Sequence, residues 1–248
     1  MAGSQDIQHE QYAFPYHYLP SLSRGDTSFS SSRRWGFSLS YVTALRLIFD
    51  TFKANETLAH LDIGCGDGAL LHHLRKRYPQ AKLSGIDYDA NAIEWARMFN
   101  ADIEFFCEDL HAVQFATVWQ SASLVEVIEH IPPDSLDHFM AGVRGLLPAG
   151  ALLIVTVPHK NRPVAEKHYQ HFDFALLRRT LEPRFKIDDM FGFDFQPLSE
   201  RLYRKFLTKD RLHVESSVIN RFRLARQLGR KDRSEKDCGR IFAVARAQ

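Results

Sequence analysis

Cysteine is scarce in this chain. Three residues, Cys65, Cys107 and Cys238, occur in 248, too few and too irregularly spaced for a disulfide scaffold or a cysteine-rich metal site. A reducing, cytoplasmic setting is the simple expectation. Long apolar runs are also missing, and the N-terminus is polar without a signal-peptide core, so neither a membrane span nor a secretory leader is expected. An excess of charge of either sign is nearly absent too: the formal net charge is +2, which selects no anionic partner until its distribution is known. What remains is ordinary globular composition, 45% hydrophobic and 25% charged, with a length that suits one generous domain or one domain with an insertion.

The apolar residues are ordered in a repeating pattern. Leu39, Val42, Leu45, Leu47, Ile48 and Phe52 recur at helical spacing within 35–52. Strands are then expected at 58–63, 82–86, 103–107, 123–127 and 152–157. Helices are expected at 69–77, 90–99 and 134–147, the last stopped by Pro148-Ala149-Gly150. A helix at 174–181 and strands at 185–193 and 240–245 complete the series. Strands alternating with helices imply a mostly parallel sheet covered on both faces.

Two stretches fall outside the alternation. Residues 1–33 form an extension that is serine-rich towards its end and carries the aromatic patch Tyr12-Ala13-Phe14-Pro15-Tyr16-His17-Tyr18. The serine stretch is expected to be mobile. The patch is expected to dock on the domain, in preference to covering a substrate. Residues 198–237 read as an inserted helical pair, the second helix carrying Val218, Phe222, Ala225 and Leu228 on one face. Twelve Lys and Arg against six Asp and Glu give this insertion +6 and leave the remainder at −4. A solvated helical face is the plain reading of that charge; contact with an anionic substrate is the sharper one. The domain proper is then 34–197 plus 238–248.

The chemistry centres on Leu61-Asp62-Ile63-Gly64-Cys65-Gly66-Asp67-Gly68, a strand ending on an acid and running into a loop with glycine at every second position. Such a loop lets a ligand lie against backbone N–H groups. Two acids beside it would repel a pyrophosphate, and Gly68 arrives one residue early for a dinucleotide loop. A ligand with a cationic amine and no phosphate suits it better, and S-adenosylmethionine is one. The second strand ends in Gly85-Ile86-Asp87-Tyr88, where Asp87 can accept from both ribose hydroxyls and Tyr88 can lie against adenine. After the third strand, Glu108-Asp109-Leu110 offers an acid to the adenine amino group and a backbone N–H to its ring. Each acid alone reads as an exposed loop carboxylate; three at successive strand ends read as a site.

These three segments resemble the first three motifs of class I S-adenosylmethionine-dependent methyltransferases. Leu146 to Leu153 resembles that family's turn into the fifth strand, with Ala149 in place of a glycine. The resemblance covers about residues 55–195 plus the final strand. It implies an α/β, Rossmann-like doubly wound sheet of seven strands, the last antiparallel, with Asp62, Gly64, Cys65, Gly66, Asp87, Tyr88, Glu108, Asp109, Leu110 and Glu126 around the cofactor. Arg34, Trp35 and Tyr41 are expected to close over its methionine portion by the same analogy.

The fourth strand runs into Val125-Glu126-Val127-Ile128-Glu129-His130-Ile131. One helical turn would gather Glu126, Glu129 and His130, a donor set suited to a divalent metal such as Mg, Mn or Co. His171, or alternatively His168, can close the set from beyond the fifth strand. The E-x-x-E-H spacing resembles two metal-dependent branches of the family, the small-RNA 3′-terminal ribose methyltransferases and the O-methyltransferases of ubiquinone biosynthesis. The RNA branch's segments after the fifth strand are replaced here by Thr156-Val157-Pro158-His159-Lys160-Asn161-Arg162 and His171-Phe172-Asp173-Phe174. His130 is the expected base, with Glu126 and His171 beside it in catalysis and His168 as a further candidate.

The expected function is O-methylation of a small-molecule or sugar hydroxyl, metal-assisted if the donor set is filled. A small-molecule or glycan acceptor is favoured over RNA because no aromatic-plus-basic stacking platform is visible. A 3′-terminal ribose methyltransferase and a non-catalytic methyltransferase-like binding protein are the alternatives. The acceptor and the oligomeric state are not legible.

Overall fold

The computed structural model describes residues 9–23, 25–30, 38–209, 212–213, 216–229 and 235–248. The first long helix, α1, spans Ser38–Asn55. The alternation follows as β1 (Ala59–Ile63), α2 (Ala69–Arg77), β2 (Lys82–Asp87), α3 (Ala90–Phe99), β3 (Glu104–Cys107) and β4 (Ser121–Val125). It continues with α4 (Pro133–Gly145), β5 (Leu152–Pro158), α5 (Phe174–Leu181) and β6 (Phe185–Phe193). The chain between β6 and the last strand, β7 (Arg240–Ala247), includes α6 (Leu198–Leu207) and α7 (Ser217–Leu228). Local signals set several boundaries. Asp89 and Asp173 accept the N-terminal N–H groups of α3 and α5, and Pro133 opens α4.

The seven strands lie in the order β3-β2-β1-β4-β5-β7-β6. The first five are parallel, and β7 runs antiparallel to both β5 and β6. Seven strands with an antiparallel last strand is the architecture implied by the sequence. The period-2 alternation of β5 divides its side chains between two cores. Leu153, Val155 and Val157 join α4 and α5 on one face, whereas Leu152 and Ile154 join α1, α2 and α3 on the other. All of β5 is buried, as a central strand covered on both faces must be.

Two expected elements are displaced. The helix expected at 35–52 runs on to Asn55; its expected start, Trp35 included, lies outside the described residues. The strand at 123–127 is shifted to 121–125 because Glu126 takes φ +58, a left-handed conformation no strand continues through. Ser121 and Ser123 belong to that strand although they are polar, because both are spent on a buried network described below.

Register fixes which edge carries the site. Arg240 lies opposite Pro158 on β5 and Phe193 on β6, so α6 and α7 are joined to the sheet at its carboxyl edge. Parallel strands β1, β2, β3 and β4 deliver their loops to the same edge, where ligands bind in open α/β sheets.

Candidate active site

The glycine loop is held open by the strand beside it. Gly64 and Cys65 both donate to the Ile86 carbonyl, and Gly66 N–H donates to Asp87 Oδ2 at 2.9 Å. Gly64, Gly66 and Gly68 all have positive φ. A Cβ on Gly64 would come within 2.6 Å of Val127, and one on Gly66 would collide with the Tyr12 hydroxyl, so both glycines are required by space as well as by φ.

Asp62 is buried and accepts from Ser123 Oγ at 2.6 Å. Behind it, His60 bridges Ser121 Oγ at 2.7 Å and Ser123 Oγ at 2.8 Å, so a hydroxyl–imidazole–hydroxyl relay across β1 and β4 ends on the carboxylate. Burial pushes Asp62 up to about 7, with nearby Asp87 adding to it against the Ser123 hydrogen bond. Burial likewise lowers His60 to about 3, which keeps the relay neutral. Asp87 accepts from Gly66 and Asp89 N–H groups, yet burial still raises it to about 6. Tyr88 is half exposed and lines the cavity, its phenol pushed up to about 12 by burial. Glu108 and Asp109 are exposed at the cavity rim, with Leu110 buried between them and the sheet.

Asp67 has a different job from that of a ligand-facing acid. It is fully buried and bound by His17 through both the backbone N–H and Nδ1, the latter at 3.0 Å. Tyr18 donates to the Asp67 carbonyl, and Trp95 donates to the Tyr12 carbonyl. The aromatic patch therefore docks on the domain, directly over the glycine loop. Tyr12, Tyr16, His17 and Tyr41 form one wall of the cavity. Arg34 and Trp35 lie outside the described residues.

The opposite end of the same cavity, which measures about 930 Å³ in all, is built by the segment after β4 and the loop after β5. A single 3₁₀ turn, Ile128–His130, replaces the longer helical turn expected there. It keeps Glu129 and His130 together but sets Glu126 apart from them. Glu126 turns to Arg240, whose Nε donates at 2.9 Å, and to Thr156 Oγ1 at 3.0 Å. Arg240 also pairs with Asp194 at 2.7 Å. Burial opposes the charge of Arg240, but Glu126 and Asp194 outweigh it and hold the guanidinium above its usual value.

Glu129 and His130 instead meet His168, one ligand atom from each lying within 4.8 Å of the others. Glu126 and His171 are outside this cluster, a correction to the donor set expected from spacing. His171 sits behind it, Nε2 being 2.8 Å from His168 Nδ1 while its own Nδ1 is 3.0 Å from the Arg162 carbonyl. Hydrogen-bond logic then sets the tautomers. His171 donates to Arg162 and accepts from His168, leaving His168 Nε2 open. His130 donates from Nδ1 to the Lys167 carbonyl at 3.0 Å, leaving its own Nε2 open.

Glu129 is fully buried, and neither carboxyl oxygen has a hydrogen-bond partner among the described residues. Burial and the neighbouring Glu126 push its carboxyl well up. Burial, with Lys167, lowers His130 to about 4, so its imidazole is neutral at neutral pH. Burial lowers His168 to about 3 and shifts His171 the same way. Unpartnered buried carboxyl oxygens facing open imidazole nitrogens are an expensive arrangement without a ligand.

His60, Ser123, Thr156 and Arg240 were not anticipated as site residues, and the aromatic patch announced Tyr12 and His17 without their partners. A polar residue repeated on neighbouring strands, as in Ser121 and Ser123 beside His60, is the signal that points to the first two.

Residues 61–150 match the family model described as "Methyltransferase domain". The cyclopropane-fatty-acyl-phospholipid synthase of Escherichia coli (strain K12) is 25% identical over 179 residues, spanning 66% of this chain and 46% of that enzyme. The trans-aconitate 2-methyltransferase of Afipia carboxidovorans is 36% identical over 98 residues, spanning 39% of this chain and 37% of that enzyme. The chain thus spans less than half the length of these relatives. Among solved structures, the N-methyltransferase NodS from Bradyrhizobium japonicum WM9 with S-adenosyl-L-homocysteine superposes with a TM-score of 0.58 at 13% identity, over 88% of this chain and 93% of that one. Residues 61–150 thus resemble a methyltransferase domain, and the chain shares its fold and strand order with a solved methyltransferase structure.

Proposed function

We propose that this protein transfers a methyl group from S-adenosylmethionine to a hydroxyl oxygen of a small-molecule or sugar acceptor. The observation that carries the reading is a single cavity with an acid-lined glycine loop at one end and the buried Glu129–His130–His168 cluster at the other. The glycine-loop end suits the cofactor: Asp62 and Asp87 are buried carboxylates in reach of an amine and a ribose, beside glycines whose backbone admits close approach. Asp87 accepts the ribose hydroxyls, Tyr88 covers the adenine, and Asp109 with Leu110 reads its edge. When bound, S-adenosylmethionine supplies an electrophilic methyl on its sulfonium.

The residues at the other end handle the acceptor. A hydroxyl acceptor that takes that methyl group would have to give up its proton, and this chain's residues would have to receive it. His130 is oriented to take it at Nε2, because its Nδ1–H is committed to Lys167. Glu129 and His168 hold the hydroxyl in line. The same three residues fit a divalent ion, with an acidic oxygen and two open imidazole nitrogens; Mg, Mn or Co bound there would lower the hydroxyl's pKa. Support for a small acceptor also comes from the matched relatives, one of which is a trans-aconitate 2-methyltransferase.

Tritiated cofactor presented to RNA, lipid, glycan and small-molecule fractions identifies the acceptor. Label in the small-molecule or glycan fraction supports the reading; label in RNA 3′ ends alone replaces it with the ribose alternative. With the acceptor in hand, His130→Ala lowers kcat by roughly 100-fold or more at unchanged cofactor affinity. Unchanged kcat removes His130 from the mechanism. For the ion, Mn²⁺ or Co²⁺ raises the Tm of the chain and Glu129→Gln abolishes the shift; no shift in the unmodified chain eliminates the metal.

A further inference from the structure

The helices α6 and α7 present an apolar surface that the proposed reaction does not use. On α6, Leu198 and Leu202 are one turn apart and 69% and 45% exposed. On α7, Val218 and Phe222 are one turn apart and 61% and 72% exposed. With Phe206 of α6, 58% exposed, two phenylalanines and three aliphatic side chains are exposed on two adjoining helices, and folding does not explain them, since α7 meets its needs on its other side. There, Leu224 is buried in a small core with Phe29, Leu39 and Val42; Asn220 Nδ2 donates to the Phe29 carbonyl, and Gln227 holds the backbone of Phe195 from both ends of its amide.

The two helices form one unit. Glu200 on α6 accepts both Nε and Nη2 of Arg223 on α7, at 2.9 and 2.7 Å, and Arg226 donates to Ser199 at 3.1 Å. The guanidinium of Arg223 lies 4.2 Å from the centre of the Tyr203 ring. Around this unit the charge is positive. Arg201, Arg221, Arg226 and Lys236 are exposed, and residues 198–237 as a whole carry +6 in a chain whose remainder is −4.

We propose that α6 and α7 form a docking surface for an anionic lipid bilayer, lying in its interface without crossing it. Helices with exposed Leu, Val and Phe flanked by Arg and Lys bind such interfaces by apolar insertion together with attraction to phosphates. No helix among the described residues is long and apolar enough to span a membrane, so the contact is peripheral. Charge selects an anionic surface over a neutral one. The exposed aliphatic side chains select lipid over single-stranded nucleic acid, which prefers aromatic platforms. The register of Arg240 against Pro158 and Phe193 attaches this unit at the sheet edge that carries the cavity, and Gln196, two residues before α6, lines that cavity. The docked face and the reaction site thus share one edge of the molecule.

The test uses the full chain and vesicles of phosphatidylglycerol with phosphatidylcholine, compared with pure phosphatidylcholine, in a sedimentation assay at low and high salt. The unmodified chain binds the anionic vesicles, binds the neutral ones at least tenfold more weakly, and loses affinity as salt rises. The double variant Leu202→Ser, Phe222→Ser loses binding at least tenfold, while its far-UV circular dichroism and cooperative thermal unfolding stay those of the unmodified chain, which certifies its fold independently of the methyl-transfer reading. Three results overturn the proposal: no binding to anionic vesicles at low salt, equal binding by the double variant, or a stable dimer in light scattering that the double variant dissociates. Poly(U) binding that survives the double variant, without vesicle binding, assigns the surface to nucleic acid and overturns it equally.

Discussion

At the scale of single residues, the site is a set of carboxylates kept in places they would not choose. Asp62 and Asp87 are raised to about 7 and about 6 by burial, well above the ordinary Asp value near 4. The native chain therefore holds protons that the unfolded chain has released between about pH 4 and 7, and its stability falls as pH rises through that window. Buried His60, His130 and His168 act in the opposite sense below about pH 6.5, so the Asp62 contribution is read by difference: the Tm gap between the cofactor-free chain and Asp62→Asn should be wider at pH 8 than at pH 5.5. Asp62→Asn should gain about 1 to 3 kcal/mol at pH 8 and flatten the profile. A steeper profile in the variant, or no gain, would show that the Ser123 and His60 relay compensates the burial in full. Motif spacing made the identities of Asp62, Asp87 and Asp109 readable, because each follows a strand end. The partner of Asp67 was unreadable: His17 is fifty residues away, and only the fold brings it to that carboxylate.

At the scale of elements, backbone conformation decides which side chains meet. Glu126, Glu129 and His130 share a helical spacing, but the left-handed backbone at Glu126 turns its side chain to Arg240, and only the 3₁₀ turn after it serves the cluster. Spacing predicts proximity only when the helix is real. The glycine loop is the opposite case, since glycine itself reports the conformation. Gly64→Ala should cost about 1 to 3 kcal/mol, because it combines positive φ with a contact on Val127 that cannot be relieved without moving the turn. Denaturant unfolding of the variant measures this directly; a loss below about 0.5 kcal/mol would mean that the loop relaxes freely. The shift of β4 by two residues has the same origin. Ser121 falls before the strand expected at 123–127, yet it pairs with β1 as Ser123 does, and His60 satisfies both hydroxyls.

At the scale of the whole molecule, the alternation of strands and helices was enough to foresee the parallel sheet, and the motifs were enough to orient it. What the pattern does not encode is how the additions sit. The N-terminal aromatic patch lies over the glycine loop because Tyr12, His17 and Tyr18 find partners in Trp95, Asp67 and Asn100, none of them local in sequence. The helices between β6 and β7 reach the same edge because β7 is antiparallel, a consequence of register and not of periodicity. One cavity then runs from the loop of β1 to the loop after β5; the N-terminal addition lines it, and Gln196 and Gly239, which flank the helical addition, lie on its wall.

The central claim is that the glycine-loop end of this cavity binds S-adenosylmethionine with Asp87 on its ribose. Calorimetric titration of the cofactor into the full chain, repeated with Asp87→Ala and with Glu129→Gln, tests it directly. One-to-one binding that weakens roughly 100-fold or more in Asp87→Ala, through loss of two charge-assisted hydrogen bonds, and stays intact in Glu129→Gln is the predicted result. No binding by the unmodified chain, or equal affinity in Asp87→Ala, would contradict it.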